Sequence, residues 1–126
     1  MPVDVSSARF DRMVQDAISA LPAHFRAALE VVRVEVRDRP TSAMLASVGL
    51  DEDELLLGLY EGVPLTVRSV LDGPRPPDVI YLFKQDLEDA CDDVATLAIE
   101  VRTTLLHELG HYFGLDEEEL GKLGYG

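Results

Sequence analysis

Three observations predict an α+β (α/β) fold for this chain. Stretches with helical and strand-like hydrophobic spacing follow one another in the order helix–strand–helix–strand–strand–helix. The 126 residues are enough for one domain, 1–126, built around one modest core. Hydrophobic residues make up 47% of them, too many for a disordered chain despite a net charge of −13.

Each element has its own warrant. Ser6 or Ser7 can cap a first helix, in which Phe10, Met13/Val14, Ala17/Ile18 and Leu21 recur at helical spacing. Leu21-Pro22 interrupts that helix, and Ala23 to Leu29 supplies a further short helical piece. From Val31 to Asp38 the chain alternates, with Val32, Val34 and Val36 on one side and Arg33, Glu35 and Arg37 on the other, as in a half-buried strand. Pro40 ends the strand, and Thr41 to Val48 reads as a short helix stopped by Gly49. Leu55 to Tyr60 is a continuous apolar run, the pattern of a strand buried on both faces. Leu65 to Leu71 reads as an extended or hairpin segment, and Asp72 to Pro77 as a rigid loop. Asp78 to Phe83 is a further strand, followed by a short acidic segment. The last long helix begins near Asp92 and Asp93, whose charges suit its positive end, and carries a stripe of Val94, Leu97/Ala98, Val101, Leu105 and Leu109.

That helix bears the feature that speaks to function, His107-Glu108-Leu109-Gly110-His111. Residues four apart share a helix face, so both imidazoles can reach one metal ion, with Glu108 beside it rather than in line. Gly114 and Asp116 extend the stretch to HELGHYFGLD. Two imidazoles and a carboxylate leave a fourth position open to water, the arrangement of catalytic zinc. An HExxH arises by chance in roughly six of a thousand chains of this composition; adding the glycine and aspartate lowers that to about 5 in 100,000.

Composition narrows the function classes. The acids gather at Asp51 to Glu54, Asp86 to Asp93 and Asp116 to Glu119, and read as solvated faces that repel nucleic acid and anionic membranes. No apolar run reaches the roughly 18 residues of a transmembrane helix. The N-terminal residues lack the basic start and apolar stretch of a signal peptide, so a cytoplasmic location is expected. The single cysteine, Cys91, cannot form an internal disulfide, which agrees with a reducing compartment and a structural role.

HELGHYFGLD resembles the zincin signature of zinc metallopeptidases, in the variant where aspartate replaces the third histidine. Leu55 to Pro64, Pro77 to Phe83 and Val101 to Leu106 extend the likeness, and resemble the small bacterial minimal-zincin family. The resemblance implies a small mixed sheet packed on the active-site helix, one zinc ion per chain and a peptidase activity on peptides or unfolded proteins. Carried over by position, His107 and His111 are the helix ligands, Asp116 the third ligand and Glu108 the catalytic base. The ten residues after Asp116 contain no methionine, so neither a Met-turn nor a lower wall to the cleft is expected.

Competing readings exist for several positions. Asp116 to Glu119 matches a capping box that opens a last short helix, with Glu117 or Glu118 as substitute ligands. Gly114 suits a positive φ that turns the chain back toward the metal, and Gly110 suits close packing against the sheet. Glu100, Thr103 and Thr104 either orient the imidazoles by hydrogen bonds or are polar surface. Asp78 to Phe83 is either an edge strand that pairs with an extended substrate or an ordinary sheet strand. Tyr81, Tyr112 and Tyr125 are oxyanion candidates on residue type alone, and His24 reads as an ordinary loop or surface residue. Two other functions fit the ligand types: a metal-stabilised interaction module without turnover, and a non-haem ferrous oxygenase, which would not need Glu108. Oligomeric state is left open.

Overall fold

The computed structural model describes residues 2–62 and 78–122; the expected segments 65–71 and 72–77, and Tyr125, lie outside them. Described helices are α1 (Ser7–Ser19), α2 (Ala23–Ala28), α3 (Ser42–Ser47), α4 (Lys84–Asp89), α5 (Val94–Tyr112) and α6 (Glu117–Lys122); the strands are β1 (Val32–Arg37), β2 (Gly58–Glu61) and β3 (Asp78–Phe83). The sheet order is β1-β3-β2, with β1 parallel and β2 antiparallel to β3. The architecture is therefore α+β with a small mixed sheet, as expected.

Local chemistry sets the helix starts. The Ser6 hydroxyl accepts the Arg9 amide at 3.1 Å, Thr41 accepts that of Met44 at 3.1 Å, and Asp93 accepts that of Thr96 at 2.7 Å. The bond from the Thr96 amide holds the Asp93 carboxyl below its ordinary range. Gly49, at φ 75°, ends α3 where an L side chain would be strained.

Strand alternation sorts the core into two faces. Ile80 and Leu82 of β3 join Val32, Val34 and Val36 of β1 on the face covered by α1 and α5, where Phe10, Val14, Leu97, Val101, Leu105 and Leu109 are buried. Val79, Tyr81 and Phe83 point the other way, packing with Leu59, Met44 and Leu56. Every residue of β3 is buried.

One strand reading needs correction, and one open alternative is resolved. Leu55 to Tyr60 is not a doubly buried strand. Pairing with β3 as a strand begins only at Gly58, and Leu55 is 44% exposed. An unbroken apolar run does not reveal where pairing begins. Asp86 anchors this approach: one oxygen accepts the Leu56 amide at 3.0 Å and the other the Arg39 guanidinium at 2.8 Å. Asp78 to Phe83, in turn, is not an edge strand. It is the central one, paired on both flanks, so its backbone is closed to a substrate.

The acidic segment before α5 holds a second surprise. Residues 84–89 form helix α4, and Asp86 and Glu88 are buried rather than solvated. Glu88 accepts the Val5 amide at 2.8 Å and the Lys84 ammonium at 3.1 Å. Buried carboxylates require such partners. Cys91 is buried beside them, and burial followed by the charges of Glu100, Asp93 and Asp92 pushes its thiol pKa up. That agrees with an inert structural cysteine.

Gly58 sets how closely β2 approaches α5. A Cβ there would meet Thr104 Cγ2 at 2.6 Å, the Tyr81 carbonyl at 3.0 Å and Glu108 Cγ at 3.4 Å. Gly58→Val is expected to cost ~1–3 kcal/mol by overpacking this seam. Chemical denaturation checks this, and unchanged stability would show that the contact relaxes freely.

Candidate metal centre

Helix α5 has a second buried face beside its leucine stripe. Thr104 and Glu108 turn toward β2, and Tyr112 packs edge-on against Tyr60 with centroids 6.0 Å apart. His107 and His111 sit one turn apart on the neighbouring, half-buried strip, their ring centroids 4.8 Å apart. One donor atom from each of His107, Glu108 and His111 can be chosen so that all three lie within 4.8 Å of one another. The spacing thus brings these three residues together as expected.

The C-terminal end of α5 completes the geometry. Gly114 adopts φ 86°, its amide donates to the His111 carbonyl at 2.9 Å, and the Leu115 amide donates to the Gly110 carbonyl at 3.0 Å. This pair of bonds is a Schellman closure, which reverses the chain at a glycine in the left-handed region. It brings the Leu115 carbonyl to 3.1 Å from His111 Nδ1. A carbonyl can only accept, so Nδ1 carries the proton in this contact and Nε2 is the ring nitrogen directed outward.

Beyond the turn, Asp116 and Glu117 take different positions. Asp116 Oδ1 accepts the Glu119 amide at 2.8 Å, and the Asp116 amide donates to Glu119 Oε1 at 3.2 Å. This is the reciprocal capping box, so Asp116 opens α6. Glu117 is the residue that faces the imidazoles: its Oε1 lies 3.1 Å from His107 Nε2 and 3.0 Å from His111 Nε2. Glu118 instead reaches Lys122 at 3.5 Å. Leu120 anchors α6, fully buried against Gly110, where a Cβ would run into its side chain. Gly110 therefore admits α6, not the sheet as its position suggested.

Glu108 is buried, and its Oε1 accepts the Tyr60 amide of β2 at 2.9 Å. Burial raises its pKa above the usual glutamate value of 4.5, against the opposing pull of His111, His107 and the Tyr60 amide. In the metal-free protein the folded state then holds this proton more tightly than the unfolded chain does. Its contribution to stability is present below pH 4.5 and declines as pH rises toward the elevated folded value. Glu108→Gln, which keeps an acceptor for Tyr60, should be more stable than the parent by a margin that widens across that window. Thermal melts of chelated protein from pH 4 upward check this; a constant margin would contradict it.

Two shallow grooves flank Glu108 along β2. One, of 320 Å³, is lined by Leu56, Leu57, Gly58, Glu100, Thr103 and Thr104 together with His107 and Glu108. The other, of 330 Å³, includes Leu50, Leu59, Tyr60, His111 and Glu117 as well as His107 and Glu108. Glu100 and Thr103 thus line the groove beside His107. A larger depression of 660 Å³ between α1 and β1 shares no residue with this centre, and it has no histidine in its lining.

The remaining candidates lie elsewhere. Tyr81 is on the sheet face away from α5, stacked with Phe83. Tyr112 is buried in the main core. His24 is on α2 rather than a loop, exposed and against Phe25. Three contributors escaped sequence reasoning: the Tyr60 amide, the Leu115 carbonyl and the close approach at Gly58. Only the last had a signal, a glycine breaking the apolar run.

The donor chemistry fits a divalent metal. Zinc spokes of roughly 2.0–2.1 Å to N and O ligands give donor–donor edges of about 3.3 Å in a tetrahedron. The 3.0 and 3.1 Å separations are close to such edges.

A helix-borne HExxH beneath a strand of a mixed sheet defines the zincin class of metal-dependent hydrolases. Residues 29–125 match the family model described as zincin-like metallopeptidase, and the chain belongs to that family. Its structure is similar to a solved one described as a conserved hypothetical protein from Thermo thermophilus. That likeness has 25% identity and a TM-score of 0.59, and covers 86% of this chain and 94% of the other. No curated protein matches the chain significantly.

Proposed function

We propose that the protein is a zinc-dependent peptidase acting on short or unfolded peptides. One observation carries this reading: both imidazole Nε2 atoms converge on a single carboxylate oxygen, with the buried Glu108 carboxylate beside them. His107 and His111 would hold the metal, with a carboxylate from the first residues of α6 or its cap, Asp116 or Glu117, as third ligand. A zinc ion held there would supply Lewis-acid polarisation of a carbonyl and a lowered pKa for the attacking water. Glu108 takes that water's proton and hands it to the leaving amine.

The substrate's path follows from β2. The Phe83 amide donates to the Leu57 carbonyl, so the alternation of an antiparallel ladder directs the Gly58 and Tyr60 backbone away from β3, where Glu108 holds the Tyr60 amide. Among the described residues β2 is the last strand on that side, and an extended peptide lying along it would cross both grooves and pass Glu108. The shallow grooves and acidic surface favour short, unfolded chains over folded proteins or nucleic acid. A cytoplasmic setting agrees with the buried, unreactive Cys91. No described helix is long and apolar enough to cross a membrane.

The test is digestion of a peptide library by the zinc-loaded protein, followed by chelation and zinc restoration. Cleavage should stop with chelator and return with zinc. Equimolar zinc with every peptide intact would instead identify a metal-stabilised interaction module.

A further inference from the structure

We propose that Glu100 makes the groove beside His107 a subsite for a cationic side chain, so that cleavage falls next to lysine or arginine. The proposal rests on the peptidase reading above and names its substrate class. Glu100 lies upstream of His107 on α5 and lines this groove, with Leu56 and Leu57 on the strand side. It is half-buried, and among the described residues its carboxylate has no hydrogen-bond or ion-pair partner. The described cations of α4, α5 and the β1–α3 connection are engaged elsewhere. Lys84 pairs with Glu88, Arg39 with Asp86 and Asp89, and Arg102 lines a depression between α1 and α5. A carboxylate held partly out of water without a counter-charge favours a ligand that brings one.

Spacing sets the length of that ligand. Glu100 precedes His107 by seven residues, two helical turns or roughly 10 Å of rise. With the scissile bond over His107 and Glu108, one Cα step of the substrate covers about 3.8 Å of that distance. The remainder suits a long stem such as the four carbons of lysine, not a short side chain. Leu56 and Leu57 offer that stem apolar walls while its charged head reaches Glu100. The groove on the other flank of Glu108 differs in character, with Val48, Leu50 and Leu59 in its lining, so selection for charge is confined to one side of the scissile bond. The net charge of −13 adds a field that draws cationic peptides.

Matched peptides with a central lysine or glutamine read this subsite in two ways: digestion by the zinc-loaded protein, and binding of the dye-labelled peptides to zinc-loaded Glu108→Gln protein. Lysine should be favoured about tenfold in both, the scale of one charge-assisted hydrogen bond, and added salt should narrow the margin. Cleavage should adjoin the lysine on one side only. Glu100→Gln should bring the lysine-to-glutamine ratio within about twofold of unity, and Glu100→Lys should turn the preference toward a glutamate peptide. A purely structural role for Glu100 would leave that ratio in place. Equal treatment of the two peptides by the parent, or a lysine preference that survives Glu100→Gln, would overturn the proposal. A binding preference that Glu100→Gln removes, with every peptide left intact by the parent, would uphold the cation subsite and remove the peptidase reading instead.

Discussion

Glu108→Gln is expected to lower peptide hydrolysis roughly 10²–10⁴-fold, the usual contribution of a positioned general base, with zinc still bound one per chain. Glutamine is nearly isosteric and its carbonyl can still accept the Tyr60 amide now held at 2.9 Å. The backbone of β2 and the two histidines should therefore stay in place. What the substitution removes is a proton acceptor. Because Glu108 lies beside the imidazoles rather than in the Glu117 position between them, the loss should appear in kcat more than in metal content. Turnover of a cleaved peptide and zinc analysis on the same sample check both halves. Full activity in a zinc-replete Glu108→Gln protein would eliminate the proposed mechanism.

Zinc itself should produce the largest effect on stability. A ligand that binds the folded chain alone contributes about 2.7 kcal/mol when present at 100 times its Kd. For a domain of this size that corresponds to a rise in Tm of roughly 10 °C. The physical origin is specific here. His107 and His111 belong to α5, the facing carboxylate belongs to α6, and α6 spans six described residues, of which Leu120 is the buried one. A helix that short has little stability of its own, so a metal bridging the two elements holds α6 against α5. Scanning fluorimetry with zinc and then with chelator measures the shift, and His107→Ala should abolish it. An unchanged Tm in saturating zinc would mean that the imidazoles do not share an ion.

Much of the site was legible because helical spacing is rigid. Once His107 and His111 lie four apart on a helix, their convergence follows from the backbone alone. Gly114 was legible for the same reason: its left-handed φ of 86° is a local requirement of the turn. The alternation in Val32 to Val36 likewise sorted that strand's faces correctly. Identity of the carboxylate was not legible. Asp116 and Glu117 are adjacent and both acidic, and the sequence reading favours Asp116, whereas the structure turns Glu117 toward the imidazoles. Choosing between them depends on how α6 docks, which the Leu120–Gly110 contact determines.

The same division holds for the sheet. Apolar content marked Leu55 to Tyr60 and Asp78 to Phe83 as buried segments, but strand order is a property of long-range pairing. The central place of β3, its antiparallel pairing with β2 and the Tyr60 amide on Glu108 join residues up to 48 positions apart. Local sequence by itself determined the convergence of His107 and His111, the place of Glu108 beside them, the turn after them and the α+β class, because each depends on contacts within a few residues. Tertiary structure decided which carboxylate meets the imidazoles, which strand borders the site and which acids are buried. Those outcomes depend on the geometry with which distant elements pack, and no local spacing encodes it.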